Sequence, residues 1–505
     1  MLASVLAQTN GFDRPTIDYH AFAPEIVLVG ALVLVLVVDL LLDERSKGIT
    51  PIIAGLGLLG AFVPILTLGL DGADRLMFDG AYVVDDFALV MKGLFLLTGY
   101  IVILISTQYI TDGDYYEGEY YFLLLSSLLG MVVMSSARDL ITIFVALELL
   151  SIPAYMLAGW RKRDTRSNEA ALKYYLLGVL ASGVMLYGMS LIYGAAGTTV
   201  LVDIAARLGE LRDIPLLSVG VVFILVGFGF KVSAVPFHQW APDTYEGAPT
   251  PVAAFLSVAS KAAGFVALLQ LVFLGFFGQR EVWGPFFWII AAATMTVGNL
   301  IALRQTNAVR LLAYSSVAQA GFMLVPLAVA AERDGVAADS ALTAVVTYLL
   351  IYAAMNLGAF GTIIAIARKT RTAEISSFGG LFSYAPGLTL LMTIFLFSLA
   401  GIPPLGGWIA KFVVFRAVAD AGTTSAWILG VIVAVNAVVA LFYYANIARE
   451  MWFNPVPDGD TTPIAVPPSL ALGLGLTVVG VLAVGVFPSI VTHFGELATF
   501  TVAVP

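Results

Sequence analysis

About fourteen apolar stretches of membrane-spanning length follow one another along the 505 residues, and they leave almost no chain for anything else. They run over 23–42, 51–70, 83–106, 119–136, 139–158, 168–195, 216–240, 250–276, 283–303, 307–329, 340–367, 387–419, 425–450 and 467–488. A bilayer core about 30 Å thick needs roughly 20 such residues per helix. Backbone groups in hydrocarbon must be satisfied within the segment, so the stretches read as helices. A barrel would show short alternating strands instead. Composition agrees, since only 12% of residues are charged against about 25% in soluble domains. The expected architecture is an all-α polytopic membrane protein.

Several function classes fall away. The chain has no cysteine, so it supplies no thiolate for a metal, a disulfide or an iron–sulfur cluster. Its three histidines form no metal-binding spacing, and no phosphate-binding loop is present. No large basic patch suits nucleic acid. The first twenty residues lack a basic segment followed by a long apolar core, so no cleaved signal is read there.

Lysine and arginine placement sets an orientation. Arg45 and Lys47, then Arg161, Lys162, Arg163 and Arg166, then Arg304 and Arg310, then Arg368, Lys369 and Arg371 all follow odd-numbered stretches. The alternate loops hold only Arg75, Arg138, Arg207, Arg212, Arg280 and Arg333. With the richer side cytoplasmic, both termini are expected on the outer face.

The seventh and twelfth stretches carry prolines mid-span, Pro236 and Pro403–Pro404, with Trp240 and Trp408 after them. Proline removes a backbone donor and clashes with the preceding turn. Matched interruptions mark an inverted-repeat transporter and point to its ion path. The expected division is 1–118 (helices 1–3), 119–276 (helices 4–8, first repeat), 283–450 (helices 9–13, second inverted repeat) and 467–505 (helix 14 and tail). A simple proline kink explains one interruption; two matched ones beside lysines favour the repeat.

Against this apolar background stand Lys92, Lys231, Lys261, Lys411 and Glu148. A charge at the centre of a membrane helix costs about 2.5–3.5 kcal/mol on insertion scales. Groups kept at that cost most often move ions or protons. Lys231 precedes the first break by about one turn, Lys261 sits mid-helix among Ser257, Ser260 and Gly264, and Lys411 follows the second break. A static Glu148–lysine clamp is the competing reading. His238, beside Pro236, is either a proton relay or a packed side chain. Lys173 reads more readily as an interfacial anchor than as a proton carrier. Lys92 is the weakest of the lysines, facing water or a partner.

The strongest motif is PFHQWAPDTYEGAPTPV, from Pro236 to Val252, bracketed by Lys231 and Lys261. A second is RLLAYSSVAQAG from Arg310, and a third is GIPPLGG from Gly401 with Lys411. With these the chain resembles the antiporter-like membrane subunits of proton-pumping NADH–quinone oxidoreductase, respiratory complex I. EAALKYYLLG at Glu169–Gly178 and LYGMSLIYG from Leu186 resemble the branch called subunit N, or subunit 2. Lysine at 411 and an end soon after helix 14, without a long lateral helix, fit that branch.

The resemblance implies a proton-translocating subunit of an H+-translocating enzyme. Glu148 and Lys231 would be its coupling pair, Lys261 the central relay and Lys411 the outlet carrier; His238 and Lys173 are secondary candidates. It implies no cofactor on this chain, with FMN, iron–sulfur clusters and quinone in partner subunits. The partners implied are subunits of the M, K, J and L types in a bacterial plasma membrane. Gln319 departs from the pattern, because some relatives carry histidine there, which puts a relay at that position in doubt. The alternative is a subunit of a multi-subunit cation/proton antiporter, although no intramembrane aspartate cluster is present to ligate sodium.

Overall fold

A computed structural model of the chain describes residues 17–42, 48–113, 115, 117–210, 215–332 and 336–501. Arg45, Lys47, Arg212 and Arg333, and the ends of the first and last expected segments, lie outside those residues. Among the described residues, twelve helices are long and apolar enough to cross a membrane. In order they are α1 (Ala23–Leu41), α2 (Thr50–Asp71), α3 (Asp86–Asp112), α4 (Glu117–Ser136), α5 (Leu140–Ala158) and α6 (Thr165–Ala196), with six more further along the chain.

The seventh expected stretch is two helices in line. A short amphipathic helix, α7 (Leu201–Glu210), precedes them. Helix α8 (Pro215–Lys231) ends on Lys231, and α9 (Trp240–Gly247) resumes after a non-helical segment at 232–239. Helix α10 (Thr250–Gly275) follows, then α11 (Arg280–Ala302), α12 (Ala308–Ala330) and α13 (Val336–Thr370). The twelfth stretch is divided likewise into α14 (Pro386–Ala400) and α15 (Gly406–Ala421). Helices α16 (Thr424–Phe453), α17 (Pro468–Val486) and the short α18 (Ser489–Leu497) complete the order. A two-stranded hairpin, β1 (Arg75–Met77) paired with β2 (Tyr82–Val84), precedes α3; neither it nor α7 was expected.

The broken helices leave backbone groups that hydrocarbon cannot satisfy, and side chains take them over. Trp240 Nε1 donates to the Phe230 carbonyl at 2.9 Å, and Thr294 Oγ1 accepts from the Val235 amide at 2.9 Å. In the second break, Ser398 Oγ accepts from the Gly407 amide at 3.0 Å, and Gln319 Nε2 donates to the Leu399 carbonyl at 3.1 Å. The two tryptophans differ here: Trp240 is buried within its break, whereas Trp408 is 43% exposed.

Burial divides the helices into a core and a sheath. The whole apolar window of α10 is buried, and nearly all of those of α12 and α13. Helices α1, α2, α6, α16 and α17 turn leucine, valine and phenylalanine outward. That is the pattern of a bundle whose exterior meets lipid or apolar neighbours rather than water.

Candidate functional site

Lys231 closes α8 and is only 3% exposed. Its Nζ donates to Ser151 Oγ on α5 at 2.9 Å. Glu148, one turn earlier on α5, is half-buried and accepts from Ser182 Oγ on α6 at 2.6 Å. No ion pair within 4.0 Å joins Glu148 to Lys231. The Lys231 amine therefore rests on Ser151, and Glu148 acts on it through space without direct contact. Glu148 also shares a stripe of α5 with Ile141, Val145, Ile152 and Met156, each more than half exposed. Glu148 is thus not the enclosed carboxylate its apolar neighbours in sequence suggested: periodicity places it on the outward face.

Gly264 explains how closely Lys231 lies to α10. A Cβ there would stand 2.9 Å from Val232 Cγ1 and 3.1 Å from Lys231 Cγ. Three residues earlier, Lys261 follows a π-helical segment, Leu256–Ser260. Such wide turns are frequent at functional sites. Lys261 is 1% exposed, and its Nζ meets the carbonyl and hydroxyl oxygens of Ser316 on α12, each at 2.5 Å. Tyr245 and Tyr352 lie close to Ser316. Their hydroxyls, with that of Ser260, are buried and have no protein hydrogen-bond partner among the described residues. Buried polar groups of this kind are ordinarily satisfied by ordered water.

Lys411, on α15, is 5% exposed. Its Nζ donates to the Ala400 carbonyl, the last residue of α14, and stands 5.1 Å from the centre of the Phe322 ring. Gly401, at φ +90°, makes room: a Cβ there would lie 2.7 Å from Lys411 Cδ. Between this lysine and Lys261 sits Gln319 on α12. Its amide donates to the Leu399 carbonyl and, at 3.3 Å, to Tyr444 Oη, and its oxygen accepts from Tyr348 Oη. Tyr444 Oη also bonds Ser315 Oγ.

The remaining candidates fall elsewhere. His238 is half-buried, its ring 6.5 Å from that of Tyr314, and its Nδ1 has no hydrogen-bond partner among the described residues. It bonds neither lysine. Lys173 is exposed and pairs with Glu169 at 2.7 Å and Asp243 at 2.9 Å. Asp243 also meets Arg310, which pairs with Glu246, so Lys173 belongs to a surface ion cluster at one end of the bundle.

Lys92 corrects the expectation of a water- or partner-facing group. It is fully buried and pairs with Glu25 of α1 at 2.8 Å, while Tyr82 Oη donates to Glu25 at 2.5 Å. Arg138, expected in a loop, is buried as well and binds both oxygens of Asp85, at 3.0 and 2.8 Å. Sequence gave no signal for either pairing, since the partners lie more than fifty residues apart. Among the described residues no group of three or more histidines, aspartates or glutamates could hold a metal.

Residues 137–436 match the family described as NADH:quinone oxidoreductase/Mrp antiporter, transmembrane. The chain is 39% identical over 487 residues to NADH-quinone oxidoreductase subunit N of Trichlorobacter lovleyi, covering 96% of this chain and 97% of the relative. The chain belongs to this family. Among solved structures, a chain of respiratory complex I from Thermus thermophilus with bound aureothin superposes at a TM-score of 0.77 and 32% identity, over 93% of this chain and 98% of that one. A chain of the Mrp complex from Dietzia shares the fold, at a TM-score of 0.82 and 21% identity, over 95% and 97%. The family match spans every residue from Arg138 to Asn436, so Glu148, Lys231, Lys261 and Lys411 all fall inside it, whereas the Glu25–Lys92 pair lies outside.

Proposed function

We propose that the chain carries protons across the membrane as the subunit N-type component of an NADH–quinone oxidoreductase. The carrying observation is the placement of Lys231, Lys261 and Lys411 in the interior, each on a hydroxyl or carbonyl at or facing a helix irregularity. An amine on a neutral acceptor can gain or lose its proton without stranding a buried carboxylate. Unpartnered hydroxyls around Ser316 favour water beside Lys261. Lys231 receives a proton, passes it towards Lys261 and on to Lys411, and Lys411 delivers it outward. Each charge moved across the membrane works against about 2.3 kcal/mol per ~100 mV.

The drive comes from partner chains, which would hold FMN, iron–sulfur clusters and the quinone site. Glu148 fits a contact with such a partner, because a half-buried carboxylate on an apolar stripe is costly against lipid alone. Neighbours of the M, K, J and L types, a bacterial plasma membrane, outward termini and two inverted repeats at 119–276 and 283–450 complete the reading.

The test is the whole complex reconstituted in vesicles. Lys231→Ala or Glu148→Ala is expected to abolish pumping while the complex still assembles; normal pumping in either variant overturns the assignment. Purification separates the antiporter alternative, since co-purifying flavin and iron–sulfur subunits identify the respiratory enzyme and their absence identifies the antiporter.

A further inference from the structure

Gln319 is fully buried and makes three hydrogen bonds within the bundle. Its amide nitrogen donates to Leu399 O in the second break and to Tyr444 Oη on α16; its oxygen takes the Tyr348 hydroxyl of α13. One of these contacts ends one residue from a lysine's landing point, and a second reaches such a residue through Tyr444. Leu399 precedes Ala400, whose carbonyl receives Lys411. Tyr444 bonds Ser315, which precedes Ser316, the acceptor of Lys261. A carboxamide neither gains nor loses a proton near neutral pH, so Gln319 itself is no carrier.

We propose that Gln319 is a positioning residue that couples the protonation of Lys261 to that of Lys411. The inference rests on the proton-carrying reading above. A protonated amine makes a charge-assisted bond roughly twice as strong as a neutral one. When Lys411 gives up its proton, its hold on the Ala400 carbonyl slackens and the neighbouring Leu399 carbonyl is freer to shift. Gln319 is bound to that carbonyl and to Tyr444 at once, so the shift reaches Ser315 and the Ser316 site of Lys261. Bonds in such chains polarise one another, which makes the response cooperative. In this way an amide does by mechanical linkage what a histidine at the same place would do by titration.

The experiment uses the assembled complex in vesicles, with quinone reduction and pumped protons per NADH measured together. Gln319→Leu keeps the volume and removes all three bonds; the proton yield is expected to fall at least twofold while quinone reduction stays near the parent rate. Gln319→His restores donor and acceptor, so it recovers the yield, and it adds an inflection near pH ~6.5 that the parent lacks, because imidazole titrates there. A parental yield and pH profile in Gln319→Leu, or a His variant no better than the Leu variant, overturns the proposal. Should Gln319→Leu fail to assemble, Tyr348→Phe and Tyr444→Phe, each lacking one hydroxyl, decide it on the same readout. Normal pumping after Lys261→Ala or Lys411→Ala would instead remove the carrier reading beneath it.

Discussion

Lys261 grips a single residue twice: its amine meets both the backbone and the side-chain oxygen of Ser316 at 2.5 Å. A bond to a charged group contributes about 1.5–3 kcal/mol, so Ser316→Ala leaves the carbonyl but weakens the docked state roughly tenfold or more. The expected result is a lower pumped-proton yield with unchanged assembly, and Ser316→Thr restores it. Vesicle pumping assays of the pair check this.

Gly401→Ala should impair the outlet lysine. The position needs φ +90°, and an added methyl collides with Lys411 Cδ. Left-handed backbone alone costs about 1–2 kcal/mol for a residue bearing Cβ. Gly387→Ala, on α14 with nothing within 4 Å of its added carbon, is the matched control. Pumping is expected to drop in the first variant and to hold in the second.

For Lys92 and Glu25 the expected effect is on stability, because they form a buried ion pair. Lys92→Met leaves a buried carboxylate unpaired, which costs about 3–5 kcal/mol. Adding Glu25→Gln should return much of that loss, because the uncompensated charge is gone. Thermal unfolding of the assembled complex measures both, and the proton yield of the double variant should equal the parent's.

Trp240→Phe keeps the aromatic packing against Tyr174, whose ring centre is 4.4 Å away, but deletes the bond that satisfies the Phe230 carbonyl. An orphaned buried acceptor costs about 1–3 kcal/mol. A lowered unfolding temperature is expected, together with faster hydrogen exchange around Lys231.

A pH effect belongs to the loop between α16 and α17. Lys369 Nζ donates to the carbonyls of Asp460 and Thr462, each at 2.7 Å, and stands 3.9 Å from the Tyr384 ring centre. The Thr462 backbone amide, then its hydroxyl and Lys369, hold the Asp460 carboxyl below the usual carboxylate range. A depressed value means the contact is intact above the ordinary carboxylate range and is lost as pH falls through the lowered value. Protection of the Thr462 amide, which donates to Asp460 Oδ1, should persist through mild acid and disappear below that range when followed by hydrogen exchange; Asp460→Asn keeps the acceptor and should lose only the pH dependence, while Asp460→Ala should lose the protection itself.

The spans were legible because lipid imposes one simple demand, a run of some twenty apolar residues. The breaks were legible because proline removes a backbone donor mid-span, although Pro64, Pro153 and Pro326 sit within helices that continue through them. Lys231, Lys261 and Lys411 stood out for the same reason, as charges against an apolar background. Their acceptors did not: Ser151 and Ser316 look like ordinary small helix residues, and a backbone carbonyl such as that of Ala400 leaves no trace in a sequence. The sequence put Glu148 on one helical face with Ile141, Val145 and Ile152, but an apolar face reads the same whether it turns inward or outward. Glu25 was missed because it reads as an acidic first-turn residue of α1; only the fold brings Lys92 to it.

Two of the three lysines Lys231, Lys261 and Lys411 come to rest on main-chain oxygens, those of Ser316 and Ala400. Mutation exchanges side chains but cannot delete a carbonyl. The carbonyl part of each berth therefore survives any side-chain exchange at residues 316 and 400, even one that weakens the Ser316 site by removing its hydroxyl. Removing the oxygens themselves takes a change that reroutes the peptide chain, such as a new proline or a one-residue insertion nearby.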